Sequence, residues 1–205
     1  MLRCVKLAAP IQLVVSGYLF DKKWHTSFYR KAAVGSFGEP IPWLSYPFIH
    51  FLEDKIKSDF DIFEYGSGNS TIWFAKRANT IISVEHDKAW ADGMLGKLPH
   101  NAQLEYRALS YDGAYAQTIR DFDKQFDVVV IDGRDRVNCA KYALSYLKET
   151  GVIIFDNTDR KAYRPAFDFL AKKGFKNIAF EGMSPGTHVT GCTTIFYRPT
   201  NCFNI

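Results

Sequence analysis

Apolar positions along this chain switch repeatedly between a strand-like and a helix-like spacing. From Asp59 a short run, Asp59-Phe60-Asp61-Ile62-Phe63, gives way to two glycines, Gly66 and Gly68, and resumes at helical spacing with Ile72, Phe74 and Ala75. That is the pattern of a strand, a tight turn and a helix. Ile81-Ile82-Ser83-Val84 predicts a second strand ending at Glu85, followed by a helix from Asp87, its N-cap, to Leu98, where Pro99-His100-Asn101 stops it. Residues 103–107 read as a third strand and 113–123 as a helix. Phe126-Asp127-Val128-Val129-Val130-Ile131 is β-branched and apolar on both faces, as a central parallel strand requires. A helix over 136–148, a strand over 151–155 and a helix over 161–173 with Gly174 as its C-cap come next. The strands over 175–180 and 193–197 are close enough in sequence to pair antiparallel as a hairpin around a long loop.

The alternation predicts an α/β fold with a mostly parallel, doubly wound sheet and helices on both faces. Residues 1–37 look like helical segments outside the sheet. A stiff stretch with Pro40, Pro42, Trp43 and Tyr46 then leads into a helix starting near Ser45 or Pro47, which carries Phe48, Ile49, Phe51, Leu52 and Ile56. The expected organisation is an N-terminal helical cap over 1–58 and a main domain over 59–205, one compact unit overall. Trp43 and Tyr46 either pack the cap or form a lid over a site.

Composition is ordinary for a soluble globular protein, with 47% hydrophobic and 23% charged residues. The net charge of +4 is uneven: residues 1–31 hold Arg3, Lys6, Lys22, Lys23, Arg30 and Lys31 against Asp21 alone. The remainder is close to neutral, which argues against nucleic-acid binding. The basic head is either simply solvated or in contact with an anionic partner or membrane surface. Cys4, Cys139, Cys192 and Cys202 form no C-x-x-C pair and no zinc spacing, so they read as reduced thiols of a cytoplasmic protein. The apolar run over 7–20 is too short to span a bilayer and is broken by Pro10, Gln12 and Gly17, so stable membrane insertion is not expected. Nothing in the sequence fixes an oligomeric state.

A Gly-rich first turn with an acid at the tip of the second strand marks a nucleotide-binding crevice. Gly66 and Gly68 let the backbone approach a ligand where a Cβ would collide. Glu85 can accept two hydrogen bonds from a ribose diol, and His86 after it either lies over the base or points away. The dinucleotide fingerprint places a third glycine where this chain has Thr71, which disfavours an NAD-dependent oxidoreductase. Glu64-Tyr-Gly-Ser-Gly68 instead resembles motif I of the class I S-adenosylmethionine (SAM)-dependent methyltransferases. The wider set Pro40-Ile-Pro-Trp43, Glu64 to Thr71, Ser83-Val-Glu-His-Asp87, Ile131-Asp-Gly-Arg-Asp-Arg136 and Phe155-Asp-Asn-Thr-Asp-Arg160 is similar to a group of small bacterial-type members. The resemblance implies a Rossmann-like, seven-stranded sheet of order 3-2-1-4-5-7-6. It also implies SAM held by Glu64, Gly66, Ser67, Gly68, Asn69, Ser70, Thr71, Glu85, His86 and Asp132, while the position of Ser110 or Asp112 after the third strand places one of them to reach the adenine amine.

Ligands of such folds sit outside the carboxyl ends of the strands, where Asp132, Asp156 and Asn157 also lie. These three, with the segment around them, resemble the metal-binding positions of catechol- and caffeoyl-coenzyme A-type O-methyltransferases, which implies Mg²⁺ on Asp132, Asp156 and Asn157. Arg134 departs from that pattern, because a lysine stands near the acid in the catechol enzymes and arginine cannot serve as a base. The alternative is a metal-free site with Asp132 at the methyl and Asp156-Asn157 as an Asx turn. Candidate proton acceptors are Asp132, Asp135, His188 and His50. The expected activity is methyl transfer from SAM to an oxygen or nitrogen of a small-molecule acceptor. A catalytically silent SAM-binding protein is the alternative.

Overall fold

The computed structural model describes residues 6–205 of the chain, so Arg3 and Cys4 of the basic head lie outside the described residues. Strands Asp61–Tyr65 (β1), Thr80–Glu85 (β2), Ala102–Tyr106 (β3), Phe126–Ile131 (β4), Leu147–Asp156 (β5), Lys176–Met183 (β6) and Thr190–Tyr197 (β7) form one sheet. Its order is β3-β2-β1-β4-β5-β7-β6, with β1 to β5 parallel and β7 antiparallel to both neighbours. This is the Rossmann-like order expected for class I methyltransferases. The order reverses between β1 and β4, so Tyr65 and Ile131 end side by side with a crevice beyond them.

Both faces of β4 are buried, and the alternation of its side chains feeds two cores. Val128 and Val130 meet Phe48, Leu52, Trp73 and Phe74 on one face. Val129 and Ile131 meet Tyr115, Cys139, Ala140, Ala166 and Leu170 on the other. The first layer is built from helices Tyr46–Leu52 (α4) and Asn69–Ala75 (α5), and Lys88–Leu95 (α6) packs beside them on β2 and β3. The second comprises Ala114–Gln117 (α7), Arg136–Ala143 (α8) and Arg164–Lys172 (α9). Three short helices precede them: Ala8–Val15, Tyr18–Asp21 and Trp24–Arg30. The last of these is tied to the hairpin loop by the Trp24 indole, which donates to the Thr187 carbonyl at 2.6 Å.

Two expectations shift. The helix expected over 136–148 ends at Ala143, and β5 begins at Leu147, which pairs with Phe126 before the register jumps to Val128 opposite Val152. Leu144, Tyr146 and Leu147 suit either element by spacing, and strand pairing decides. The hairpin ladder also runs on to Met183 opposite Thr190, leaving a loop of 184–189 in place of the expected 181–192. An edge hairpin with a solvent face carries Glu181 and Thr190 without an apolar pattern, so its length is hidden in the sequence.

Candidate functional site

At the end of β1, Glu64 is buried at 1% exposure. Its Oε2 accepts from the hydroxyls of Thr71 at 2.5 Å and Ser83 at 2.8 Å. Its Oε1 is buried with no hydrogen-bond partner among the described residues. Burial pushes this carboxyl up to about 7, against the pull of the neighbouring Ser70, Thr71 and Ser83 hydroxyls. An orphaned carboxylate oxygen in a crevice is a costly feature that a cationic ligand would relieve.

Glu85, at the tip of β2, is held by the backbone around it. Its Oε1 accepts from the amides of His86 at 2.7 Å and Asp87 at 2.9 Å, and its Oε2 from the Ser67 amide at 3.2 Å. The carboxylate is thereby aimed along the Gly-rich turn. The His86 ring packs edge-on to Tyr115 with its Nδ1 2.6 Å from Glu85 Oε1. Asp87 caps α6 as expected, accepting from the Trp90 amide at 3.0 Å.

Gly66 has φ +101°, and a Cβ there would lie 3.2 Å from the Gly133 amide. The neighbouring strand end, rather than a ligand, is therefore what first excludes a side chain at this position. Gly133 is tighter still, since a Cβ would run into the Tyr115 hydroxyl and the Gly66 amide. This pair of glycines lets the ends of β1 and β4 touch. At Gly68 a Cβ would make only ordinary contact with the Trp90 ring, at 3.8 Å.

These elements enclose a cavity of about 290 Å³ at the reversal of strand order, lined by Glu64, Gly66, Ser67, Ser70, Glu85, His86, Asp132 and Asn157 together with Gly133, Arg134, Arg136 and Arg160. A recess of about 150 Å³ adjoins it through Ser67, Ser70 and Asp132 and adds Gly68, Asn69, Trp43, Trp90 and Lys31. Thr71 is not on the cavity wall. It is fully buried, accepts from the Gly68 amide at 3.0 Å and positions Glu64 from behind. Asn69 directs its amide to the Ala33 carbonyl at 2.7 Å, locking the turn to the N-terminal cap.

Four further expected site residues fall outside the cavity. Ser110 is exposed in the loop after β3. Asp135 turns away, accepting from the Asp112 amide at 2.7 Å and the Asn138 amide at 3.0 Å. His188 is exposed in the hairpin loop, and His50 pairs with Glu53 on the surface of α4. The Asx and αL geometry that fixes these loops looks the same in sequence as a ligand-facing polar residue.

The expected metal positions are arranged around a different cation. The Arg136 side chain, 6% exposed, reaches between the ends of β4 and β5. It donates to the carbonyls of Gly133 at 2.9 Å, Asp132 at 2.8 Å and Asp156 at 2.5 Å, and to Asp132 Oδ1 at 3.0 Å. Its Nη1 also lies 3.9 Å from Asp156 Oδ2. Both Asp156 oxygens are engaged, by Thr193 at 2.6 Å and by the Asn157 amide nitrogen at 2.7 Å. Asn157 thus turns a donor, not a ligating oxygen, toward Asp156. These residues do not fit Mg²⁺, which would meet a guanidinium and a spent carboxylate. Among the described residues no cluster of three or more His, Cys, Asp or Glu side chains is placed to hold a metal ion. Burial, reinforced by neighbouring Asp156, pushes Asp132 well above the ordinary carboxylate range despite the pull of Arg136.

Sequence reading missed Arg136, Trp90 and Gly133 as site residues. The Trp90 indole donates to the Ser67 carbonyl at 2.8 Å and walls the recess, and its only signal is its place one turn into the helix after Glu85. Arg136 was signalled by its spacing of four from Asp132.

Residues 63–158 match a family model described as a methyltransferase domain. A search of curated proteins with the sequence found no match. Among solved structures, the O-methyltransferase TomG from Streptomyces achromogenes, in complex with SAM, is 16% identical with a TM-score of 0.61, over 87% of this chain and 88% of that one. An rRNA methylase from Streptococcus thermophilus is 10% identical with a TM-score of 0.58, over 77% and 99%. A methyltransferase-like protein from Silicibacter pomeroyi is 20% identical with a TM-score of 0.55, over 77% and 89%. At these identities the likeness is one of fold.

Proposed function

We propose, from the premise that this chain carries a methyltransferase domain of the class I fold, that it transfers a methyl group from SAM to an oxygen or nitrogen of a small-molecule acceptor. The observation that carries this reading is the unpartnered Glu64 Oε1 in a cavity whose other end is Glu85. SAM offers a cationic ammonium for the first carboxylate and a ribose diol for the second. The Ser67 amide and the indole of Trp90 hold the turn between them in shape.

When bound, SAM supplies a sulfonium-activated methyl that leaves by in-line displacement. The chain then has to align the acceptor and remove its proton. Asp132 lines both the cavity and its recess, which places its carboxylate where an acceptor's proton would be taken up. Arg136 donates to its Oδ1 and so fixes the orientation of the carboxylate. Asp135 and His188 are not part of this proposal. Arg160 lines both the cavity and a larger, mostly apolar groove of about 680 Å³ between β6–β7 and the start of α9, a path by which an acceptor could reach the cavity.

The test is calorimetric titration with SAM, S-adenosylhomocysteine and NAD, followed by a SAM-turnover screen across hydroxyl and amine acceptors with and without EDTA. Micromolar SAM binding, no NAD binding and turnover indifferent to EDTA are expected. SAM binding with no turnover on any acceptor would favour the silent SAM-binding alternative, and NAD binding would overturn the cofactor assignment.

A further inference from the structure

The first helix, Ala8–Val15, is apolar all round except for Gln12, yet none of its residues is buried. A helix of that composition is normally inside a protein. Here Leu7, Leu13, Val15 and Tyr18 are 48%, 45%, 56% and 49% exposed, and Phe20 and Tyr29 continue the apolar surface. Basic side chains are interleaved with it. The Lys22 ammonium lies 5.8 Å from the Tyr18 ring centre and that of Lys23 4.7 Å from the Phe20 ring centre. With Lys6, Arg30 and Lys31 against Asp21, the segment over 6–31 carries a net charge of +4.

We infer that this N-terminal surface docks on an anionic lipid bilayer, with the Ala8–Val15 helix lying in the interface. Apolar side chains that reach the acyl boundary, flanked by lysines at headgroup level, are the chemistry of a surface-lying anchor. The helix of eight residues is about 12 Å long, far short of a bilayer core, so it lies on the membrane and does not span it. No helix among the described residues is long and apolar enough to cross. Charge decides against a second copy of the chain as the occupant. A two-fold dimer through this patch would set +4 against +4, whereas an anionic leaflet is complementary. The segment ends at Lys31, which lines the recess beside Gly68 together with Ala33, so docking would bring the mouth of the cavity near the lipid surface.

The test is cosedimentation of the full chain with vesicles of phosphatidylcholine alone and of equal parts phosphatidylcholine and phosphatidylglycerol. The parent should pellet with the anionic vesicles only, and high salt should release it. Lys22→Gln with Lys23→Gln should weaken binding about thirtyfold, from ~1 kcal/mol per lysine at such a surface. Leu13→Gln with Val15→Gln should abolish it with the charge intact, while unchanged circular dichroism confirms folding. A parent that stays in solution with anionic vesicles, or binding unmoved by the Leu13 and Val15 changes, would overturn the inference. So would light scattering that shows a dimer dispersed by the same changes, which would assign the surface to a second copy.

Discussion

Replacing Glu64 by glutamine should stabilise the cofactor-free protein and weaken its hold on SAM. In the folded chain the carboxyl is raised from its ordinary 4.5 to about 7 by burial. The folded state therefore keeps a proton that the unfolded chain has released between those values. The sign follows: this group's contribution is most favourable below about 4.5 and declines as pH climbs to about 7. At about 1.4 kcal/mol per pH unit, the full interval is worth about 3 kcal/mol above neutrality. Glutamine keeps an acceptor oxygen for Thr71 and Ser83 and cannot ionise, but its amide nitrogen takes the place of the unpartnered Oε1. Leaving that donor unsatisfied returns part of the gain, so an increase of about 1–2 kcal/mol is expected at pH 8.

Urea denaturation at pH 8 and pH 5 reads this directly, with the difference between parent and variant shrinking at the lower pH. Calorimetry reads the other half. In the parent, SAM affinity should fall as pH drops below about 7, by up to tenfold per unit, because Glu64 must release its proton to pair with the ammonium. In Glu64→Gln that dependence should vanish, and affinity at pH 8 should be lower by about 1.5–3 kcal/mol, the range for a charge-assisted hydrogen bond. A variant that is less stable than the parent at pH 8 and binds SAM equally well would refute the reasoning, since Glu64 would then be a structural residue with no ligand of its own.

Glu85→Ala should weaken SAM by about 1–3 kcal/mol, as its carboxylate is already aimed by three backbone amides and only the ribose contact is at stake; calorimetry checks it. Arg136→Met should cost about 3–5 kcal/mol in urea unfolding, because Asp132, Asp156 and three carbonyls lose a shared buried donor. Lysine at the same position should recover little of this, since one ammonium cannot reproduce the guanidinium fork. Arg160→Ala should lower turnover while leaving SAM affinity within about twofold, a split visible in single-turnover against binding measurements.

The fold was legible because β2, β4 and the second half of β5 are largely apolar runs closed by an acid at the carboxyl end, Glu85, Asp132 and Asp156. Val128 to Ile131 could only be central, and Gly66 with Glu85 marked the crevice. What escaped was decided by tertiary pairing. Leu147 leaves a helix-compatible run to face Phe126, and Thr190 joins a ladder that no apolar alternation announces. In the site, residue type was readable but direction was not. Thr71, at the position of a third glycine, points inward to Glu64, and Asp135 and Ser110 serve the loop over 110–113.

The same blindness to direction misplaced the cation. Asp132, Asp156 and Asn157 have the composition of a hard-metal site, and Arg134 drew attention as the residue out of pattern, yet Arg134 is exposed at the cavity rim. The decisive residue lies two further on, where the turn from β4 into α8 folds the Arg136 side chain back to Asp132. A guanidinium there differs from Mg²⁺ in ways that shape the chemistry. It cannot exchange with solvent, its five N–H groups are nearly all consumed by strand-end carbonyls and Asp132, and it presents no open coordination position to an acceptor. On the proposed function, activation of the acceptor then falls to a carboxylate. With one fixed positive charge shared between buried Asp156 and half-buried Asp132, Asp132 retains proton affinity that a divalent ion would have removed. The arginine therefore closes the place a metal would take, and in the proposed reaction the acceptor's proton is left to Asp132.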